Sequence, residues 1–312
     1  MLVDGKWTKS WDPYQKTSND GSFVRQISSF RHWITPTGDT GFVAEKDRYH
    51  LFVSYVCPWA CRTLMVRRLK QLEDYISVSV VEPFLTDEGW NFGSYPGADD
   101  VDPFHGFKYI HQLYTHADAL YTGRATVPVL WDKKLNTIVN NESADIIEML
   151  NTAFNHLTNN QLNLRPKDKL TELLDLNDFI YQEINNGVYK AGFAQSQNAY
   201  QRAYENLFSA LDVLDEKLSH SSYLLGEKIS EADIRLFVTL VRFDVAYYSL
   251  FKCNKKHIGE YEHLSAFIDK IIHIPGIKET INIDHIKTGY YSVKALNPTG
   301  IVPVGPELAV AI

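Results

Sequence analysis

Residues 49–69, YHLFVSYVCPWACRTLMVRRL, place a strand pattern directly before a helix pattern. The first part is short, aromatic and β-branched, and charged residues precede it, which is typical of a buried strand. Pro58 suits the first turn of a helix, where its missing N–H costs nothing. Helical spacing of apolar residues then continues to Tyr75. The stretch therefore predicts a strand followed at once by a helix, with Cys57 at the junction.

Three further strand patterns and two helix patterns follow in the same half of the chain. A polar stretch rich in Gly and Pro separates the second strand from the third and predicts a crossover. The resulting order is strand–helix–strand, a crossover with one helix, and strand–strand–helix, which is an α/β domain. The strands are ISVSVVEP (76–83), TVPVLWD (126–132) and TIVNN (137–141), and the helices run through His111 to Thr115 and along SADIIEML (143–150).

From about residue 168 onward the pattern is helical throughout. In ISEADIRLFVTL (229–240), Ser230 is placed to cap a helix and Asp233 lies three residues later as its reciprocal partner. The fold class is therefore α/β plus all-α. The expected divisions are an irregular N-terminal arm at 1–47, an α/β domain at 48–155 and a helical domain with an extended tail at 165–312.

The composition restricts the class of protein. The 312 residues include 31 Lys and Arg against 38 Asp and Glu, a net charge of −7, and no basic run interrupts that balance. A nucleic-acid partner or an anionic membrane surface therefore has no electrostatic support. Three cysteines are too few for a disulfide framework, and neither an apolar leader nor a membrane-spanning stretch is evident. We expect a cytoplasmic protein.

Aromatic residues are abundant, with 6 Trp, 18 Tyr and 16 Phe. They could fill a core or line a pocket for a flat ligand, and composition leaves both interpretations open. The 11 His are scattered, and no CxxC or HExxH pattern is present, so no metal site is predicted. The absence of GxGxxG and GKS/T loops argues against nucleotide chemistry.

Cys57 is the first candidate for chemistry. At a helix N-terminus, unpaired N–H groups and the helix dipole stabilise a thiolate, which is the reactive form of cysteine. The alternative is a buried structural cysteine, which is common in proteins.

Two later strand ends carry groups that suit a peptide-like ligand. Pro128 follows Val127 at the start of the third predicted strand, where a proline favours a cis bond or an exposed backbone edge. The N–H and C=O of Val127 could then pair with an extended ligand. Glu142 and Ser143 lie at a helix N-terminus, which suits a ligand carboxylate, while the Glu142 side chain can bind an ammonium group.

This series of strand ends resembles the glutathione transferases, whose first domain has the thioredoxin fold and whose second domain is helical. The chain is more closely similar to their xi class, the glutathionyl-hydroquinone reductases. The segments that carry the resemblance extend over nearly the whole chain. They are VSYVCPWACRTL, EGWNF, GRATVPVLWDKK, NNESADII, NNGVYKAGFA, EADIRLFVTLVRFD and NPTGIVPVGP.

The resemblance implies a reductase that uses glutathione as co-substrate and acts on quinone-derived aromatic compounds, without a metal and as a homodimer. It makes Cys57 the catalytic thiol, which would form a mixed disulfide with glutathione. It also implies two groups of binding residues. The glutathione site would comprise Trp90, Arg124, Val127, Glu142 and Ser143, and the hydroquinone pocket would include Tyr189 and Tyr290.

One residue departs from the pattern of the family. Cys61 stands where the family usually has His, since the motif is CPWAC rather than CPWAH. Cys61 could be a small apolar helix residue or a resolving thiol, because positions i and i+4 of a helix lie on the same face. Two other functions also stay open: an omega-like thiol transferase or dehydroascorbate reductase, and a non-catalytic scaffold that serves as an interaction module.

Overall fold

The computed structural model describes residues 1–9 and 18–307, which form two compact units. Each unit is discontinuous in sequence, because the N-terminal segment contributes to both. The first unit comprises the described residues of Met1–Asp12 and Ile27–Leu162, and the second comprises those of Pro13–Gln26 and Asn163–Ile312.

The first unit contains short strands from the N-terminal segment, a central sheet and three helices. Its strands are β1 (Leu2–Val3), β2 (Lys6–Trp7), β3 (Ile34–Thr35), β4 (Phe42–Val43), β5 (Tyr49–Val53), β6 (Ile76–Val80), β7 (Leu85–Thr86), β8 (Gly89–Trp90), β9 (Val129–Asp132) and β10 (Thr137–Asn140). Its helices are α1 (Pro58–Leu69), α2 (Ile110–Ala117) and α3 (Ser143–Thr152).

The central sheet has the strand order β10–β9–β5–β6. β5 and β6 are parallel, whereas β9 runs antiparallel to β5 and β10 runs antiparallel to β9. All five residues of β5 are buried, as expected for a strand with neighbours on both sides. This arrangement confirms the predicted order of strands and helices and gives a mixed sheet of thioredoxin type.

The helix after the first strand is shorter than the sequence pattern predicts. α1 begins at Pro58 as expected but ends at Leu69, six residues before Tyr75. The reason is local: Gln71 adopts the left-handed conformation with φ of 56°, which a helix cannot continue through. α1 packs against α3, which brings the two helices of the sheet unit together.

The N-terminal segment has more structure than an irregular arm. β1 pairs with β2 as an antiparallel hairpin, and β3 pairs with β4 in parallel. Residues after Ile27 extend the sheet at its edge, since the backbone of Arg31 bridges Asn140 at the end of β10. The stretch predicted as an arm therefore contributes strands to the first unit.

The second unit is helical in its described part, which confirms the all-α prediction for this half of the chain. Its α-helices are α4 (Leu170–Phe179), α5 (Gly187–Gly192), α6 (Gln197–Ser219), α7 (Glu231–Arg242), α8 (Tyr248–Leu250), α9 (Glu262–Ile272) and α10 (Ile283–Tyr291). Two π-helical turns, Ile180–Asn185 and Phe243–Tyr247, join neighbouring helices, and short 3₁₀ turns occur at Lys167–Lys169, Ile258–Glu260 and Lys278–Thr280.

α7 lies at the centre of this unit, because all twelve of its residues are buried. The predicted capping pair is present at its start, where the Asp233 carboxylate accepts a hydrogen bond from the Ser230 N–H at 2.7 Å. The same carboxylate accepts a hydrogen bond from the Leu224 N–H at 2.8 Å. Asp233 therefore ties the preceding loop to the helix N-terminus.

Among the described residues, no helix is both long and apolar enough to cross a membrane.

Candidate functional site

Cys57 is the N-cap residue of α1, at the junction that the sequence predicts. Its backbone is extended (φ −78°, ψ 117°), and Pro58 occupies the first helical position. The side chain is half-buried, and its Sγ donates a hydrogen bond to the carbonyl oxygen of Val127 at 3.4 Å. The thiol is therefore partly accessible, lies at the positive end of the α1 dipole and touches the backbone before β9.

Val127 lies next to the cysteine with its side chain buried and its backbone available. The Val127–Pro128 peptide bond is cis, and β9 begins at Val129 rather than at Thr126, since Pro128 has no N–H to add to the sheet. Among the described residues, the N–H of Val127 donates no hydrogen bond. This amide can therefore bind an acceptor on a ligand that lies beside Cys57.

Glu142 and Ser143 start α3, again as predicted. Glu142 is the N-cap residue, and one of its carboxylate oxygens accepts a hydrogen bond from the Ala144 N–H at 3.2 Å. The other oxygen accepts one from the Ser28 hydroxyl at 3.0 Å. The Ser143 hydroxyl is buried and makes no hydrogen bond within the described part of the chain. The start of α3 thus offers a fixed carboxylate and an unsatisfied hydroxyl, which suits the α-ammonium and α-carboxylate groups of a γ-glutamyl moiety.

Trp90 and Arg124 lie on two separate segments of the first unit. Trp90 is the last residue of β8, where it pairs with Leu85, and its side chain is half-buried. Arg124 is also half-buried, and its carbonyl oxygen accepts a hydrogen bond from the Tyr121 hydroxyl at 3.2 Å. Each side chain is therefore partly exposed on a segment outside the central sheet.

The second unit brings Tyr189 and Tyr290 together. Their hydroxyl oxygens lie 2.8 Å apart and share a hydrogen bond. Tyr290 shares a second hydrogen bond with Tyr247, at 2.7 Å. Exposure rises along this row, because Tyr247 is 0% exposed, Tyr290 is 6% exposed and Tyr189 is half-buried. Three phenols thus run from the interior of the helical unit toward its surface.

Burial keeps the two inner phenols, Tyr247 and Tyr290, protonated. It raises the pKa of both Tyr247 and Tyr290 well above the ordinary value for tyrosine. Tyr189 raises both further, while the Arg242 guanidinium lowers both by a smaller amount. At neutral pH the pair therefore acts as neutral hydrogen-bond donors rather than as phenolates.

The outermost member, Tyr189, is packed between aromatic and cationic groups of its own unit. The Arg25 guanidinium lies over its ring, 4.8 Å from the centroid, and Arg25 Nε donates to Asn186 Oδ1 at 2.7 Å. The Phe193 ring is stacked against it at 6.2 Å. These contacts hold the Tyr189 ring in one orientation.

Sequence reasoning missed Tyr247 and Ser28. Tyr247 lies in a helical stretch where an aromatic residue is expected in any core, so the sequence carries no local signal for its hydroxyl. Ser28 lies 114 residues from Glu142, and a contact over that separation follows from the fold alone. The predicted site residues at Cys57, Val127 and the start of α3 are those that a local motif marks.

The other cysteine of α1, Cys61, is fully buried, and none of the three cysteines forms a disulfide. Within the residues that the structure describes, His, Cys, Asp and Glu side chains do not converge in groups of three or more that could hold a metal ion.

Two family models match this chain. The model for the glutathione S-transferase N-terminal domain matches residues 56–153, and the model for the glutathione S-transferase C-terminal domain matches residues 197–270. Together they cover more than half of the sequence.

Curated relatives match over nearly the full length. Glutathionyl-hydroquinone reductase YqjG of Escherichia coli is 51% identical, and the match covers 98% of this chain and 95% of the relative. Glutathionyl-hydroquinone reductase PcpF of Sphingobium chlorophenolicum is 45% identical, with 98% and 96% covered.

Solved structures agree with the sequence matches. Glutathione-S-transferase Xi from Phanerochaete chrysosporium superposes with a TM-score of 0.91 at 49% identity, over 95% of this chain and 96% of that one. The glutathione-bound structure of YqjG superposes with a TM-score of 0.90 at 47% identity, over 99% and 96%.

Proposed function

Because this chain belongs to the glutathione transferase family, and within it to the xi class, we propose that it is a glutathionyl-hydroquinone reductase. It converts a glutathionyl-hydroquinone and glutathione into the hydroquinone and glutathione disulfide. The observation that carries the proposal is the half-buried thiol of Cys57 at the N-terminus of α1, beside the backbone of Val127. A thiol in this position is activated as a nucleophile by the helix end.

In the first step, the Cys57 thiolate attacks the sulfur of the glutathionyl group. A sulfur–sulfur bond forms as the bond between that sulfur and the aromatic carbon breaks. The electron pair of the broken bond stays on the carbon, which takes up a proton to give the hydroquinone. The enzyme is left as a mixed disulfide between Cys57 and glutathione.

In the second step, the thiolate of another glutathione attacks the mixed disulfide. Glutathione disulfide leaves and the Cys57 thiolate is regenerated, so the kinetics should be ping-pong. The sulfur that is attacked must be close to Cys57 in both steps. The Val127 backbone meets this need, since its amide can pair with the cysteinyl backbone of the bound glutathione.

The ends of glutathione would be bound by charged and dipolar groups of the first unit. The Glu142 carboxylate accepts hydrogen bonds from the γ-glutamyl ammonium, and the Ser143 hydroxyl together with the α3 N-terminus binds the γ-glutamyl carboxylate. Arg124 pairs with the glycyl carboxylate, and Trp90 packs against the glycyl end.

Tyr189 and Tyr290 would bind the hydroquinone ring. Their hydroxyl groups can bind a ring oxygen and stabilise the keto form of the substrate, which eases protonation of the ring carbon. Support for this role comes from the chain of hydroxyls. When Tyr247 donates to Tyr290 at 2.7 Å and Tyr290 donates to Tyr189 at 2.8 Å, the O–H of Tyr189 is left to donate to a ring oxygen.

The cellular setting is part of the proposal. Three cysteines without a disulfide suit a reducing compartment, and we propose a cytoplasmic location. We also propose a homodimer, on the basis of family membership alone.

A substrate panel tests the proposed reaction. Glutathionyl-menadiol, glutathionyl-benzohydroquinone, dehydroascorbate and hydroxyethyl disulfide are compared under the same conditions by their kcat/KM values. The proposal requires the two glutathionyl-hydroquinones to be preferred. Preference for dehydroascorbate or hydroxyethyl disulfide would indicate the omega-like alternative, and no turnover of any substrate would indicate a non-catalytic scaffold.

A further inference from the structure

The first nine residues form a hairpin, β1–β2, to which the proposed reaction assigns no role. Its turn consists of Asp4 and Gly5, which both have positive φ values, 47° and 74°. A Cβ at Gly5 would lie 1.9 Å from the carbonyl oxygen of Ala119. The tip of the hairpin therefore packs closely against the backbone at Ala119, where only glycine fits.

One strand of the hairpin is bonded to the segment that leads into Arg124. Leu2 and Gly123 exchange two backbone hydrogen bonds, at 2.9 and 3.0 Å. The Gly5 N–H donates a third to the carbonyl oxygen of Tyr121 at 3.0 Å. The residue immediately before Arg124 is thus held by the hairpin.

The other strand reaches the turn that leads into Trp90. The indole N–H of Trp7 donates to the carbonyl oxygen of Asp87 at 2.9 Å. A Cβ at Gly89 would lie 3.0 Å from the Trp7 ring, so the indole rests on the residue immediately before Trp90. The Trp7 ring is also stacked on the ring of His111, with centroids 4.4 Å apart.

We propose that Trp7 is a positioning residue for glutathione, which acts by holding the Trp90 and Arg124 segments at a fixed separation. The inference rests on the proposed function, in which both residues bind the glycyl end. A glycyl carboxylate can pair with Arg124 while its chain contacts the indole of Trp90 only if the two segments keep their spacing. Small displacements at a binding site reduce its effectiveness steeply.

The test is a calorimetric titration with S-methylglutathione, which binds without reacting. Trp7→Ala should lower the affinity about tenfold, within the range found for coupled residues in contact. Trp7→Phe keeps an aromatic ring for the stack on His111 but loses the N–H donor and the outer indole atoms that meet Gly89, so its affinity should lie between those of the wild type and Trp7→Ala. Trp33→Ala is the matched control in the same unit and should bind as the wild type does. The alkylation rate of Cys57 by iodoacetamide should be unchanged in all three variants.

A double-mutant cycle separates positioning from a merely structural role. In the Trp90→Ala background, Trp7→Ala should cause little further loss, because the group through which it acts is gone. Full additivity of the two losses would overturn the inference. If Trp7→Ala does not fold, Trp7→Leu, which lacks both the ring stack and the donor, replaces it with the same expectation.

The outcomes also separate this inference from the function on which it rests. If Trp90→Ala and Arg124→Ala weaken binding but Trp7→Ala does not, the inference is wrong and the glutathione site stands. If Trp90→Ala and Arg124→Ala both leave the affinity unchanged, the assigned glycyl contacts are wrong and the inference fails with them.

Discussion

The thiol of Cys57 donates a hydrogen bond across 3.4 Å to the carbonyl oxygen of Val127, a residue 70 positions later in the chain. The contact joins two structures with different roles. Cys57 begins α1, whose dipole favours a thiolate, while Val127 carries an amide that can bind the backbone of a peptide-like ligand. A ligand backbone that pairs with Val127 therefore lies beside the thiol.

Removing the charge of Glu142 should weaken glutathione binding. Glu142→Ala should cost about 1.5–3 kcal/mol of binding free energy, the usual range for a charge-assisted hydrogen bond. Glu142→Gln is the matched control, because its amide oxygen can still accept from Ala144 or Ser28, so the N-cap is preserved while the charge is lost. Calorimetry with S-methylglutathione should place the glutamine variant between the wild type and the alanine variant. Equal affinity in all three proteins would remove Glu142 from the site.

Ser143→Ala should separate binding from stability. The Ser143 hydroxyl is buried and unsatisfied among the described residues, so its removal should leave the free energy of unfolding unchanged or slightly increased. Binding of S-methylglutathione should weaken by about 0.5–1.5 kcal/mol, because a hydrogen bond to the ligand is lost. Urea denaturation and calorimetry measure the two quantities. A marked loss of stability without a loss of affinity would show that the hydroxyl serves the fold.

The contribution of Asp233 to stability should fall as the pH rises from about 4 to about 6. Burial raises the pKa of Asp233 to about 6, despite the hydrogen bonds that its carboxylate accepts. The folded state therefore holds this proton more tightly than the unfolded state, whose carboxyl has an ordinary pKa. The resulting stabilisation is complete below about pH 4 and is lost as the pH rises through 6, by up to about 3 kcal/mol.

Urea denaturation across this pH range checks the prediction on Asp233. The difference in unfolding free energy between the wild type and Asp233→Asn isolates the contribution of this carboxyl from those of all others. As the pH rises, the wild type should lose unfolding free energy relative to Asp233→Asn. A difference that is constant from pH 4 to pH 7 would mean that the Asp233 carboxyl titrates normally in the folded state.

The sequence predicts the local parts of the site better than its long-range contacts. The helix starts at Cys57 and Glu142 are predicted correctly, because adjacent residues such as Cys-Pro and Glu-Ser mark a helix start. The contacts of Ser28 and Tyr247 are not predicted, since their partners lie on distant segments and only the fold brings them together.

The N-terminal hairpin, β1–β2, is a local structure that the sequence analysis does not predict. Asp4-Gly5 is a strong turn signal, and the flanking LV and KW pairs do form strands. The hairpin is nevertheless not predicted, and the segment is predicted to be an irregular arm, because strands of two residues are too short to show an alternating pattern. The C-terminal end of α1 and the first residue of β9 also differ from the predicted ones. The causes are local: the left-handed conformation of Gln71 and the missing N–H of Pro128.

Cys61 should not resolve the mixed disulfide. Residues at i and i+4 of a helix hold their Cβ atoms about 5–6 Å apart, whereas a disulfide requires about 3.8 Å. Cys61 is also fully buried, and its N–H donates to the Cys57 carbonyl oxygen at 3.0 Å in the first turn of α1. Bridging the two sulfurs would unwind that turn. Cys61→Ala should therefore turn over at the wild-type rate even at low glutathione, and slow turnover with accumulation of glutathionylated enzyme would show that Cys61 is the resolving thiol.

The central claim is that Cys57 takes up the glutathionyl group, and intact-mass spectrometry tests it most directly. One equivalent of glutathionyl-menadiol is added to the wild type, to Cys57→Ser and to Cys61→Ala, without free glutathione. The wild type and Cys61→Ala should each gain one glutathionyl group and release menadiol, since each retains the thiol at the N-terminus of α1. Cys57→Ser should gain none and release none while still binding S-methylglutathione. Release of menadiol by Cys57→Ser at the wild-type rate would contradict the account.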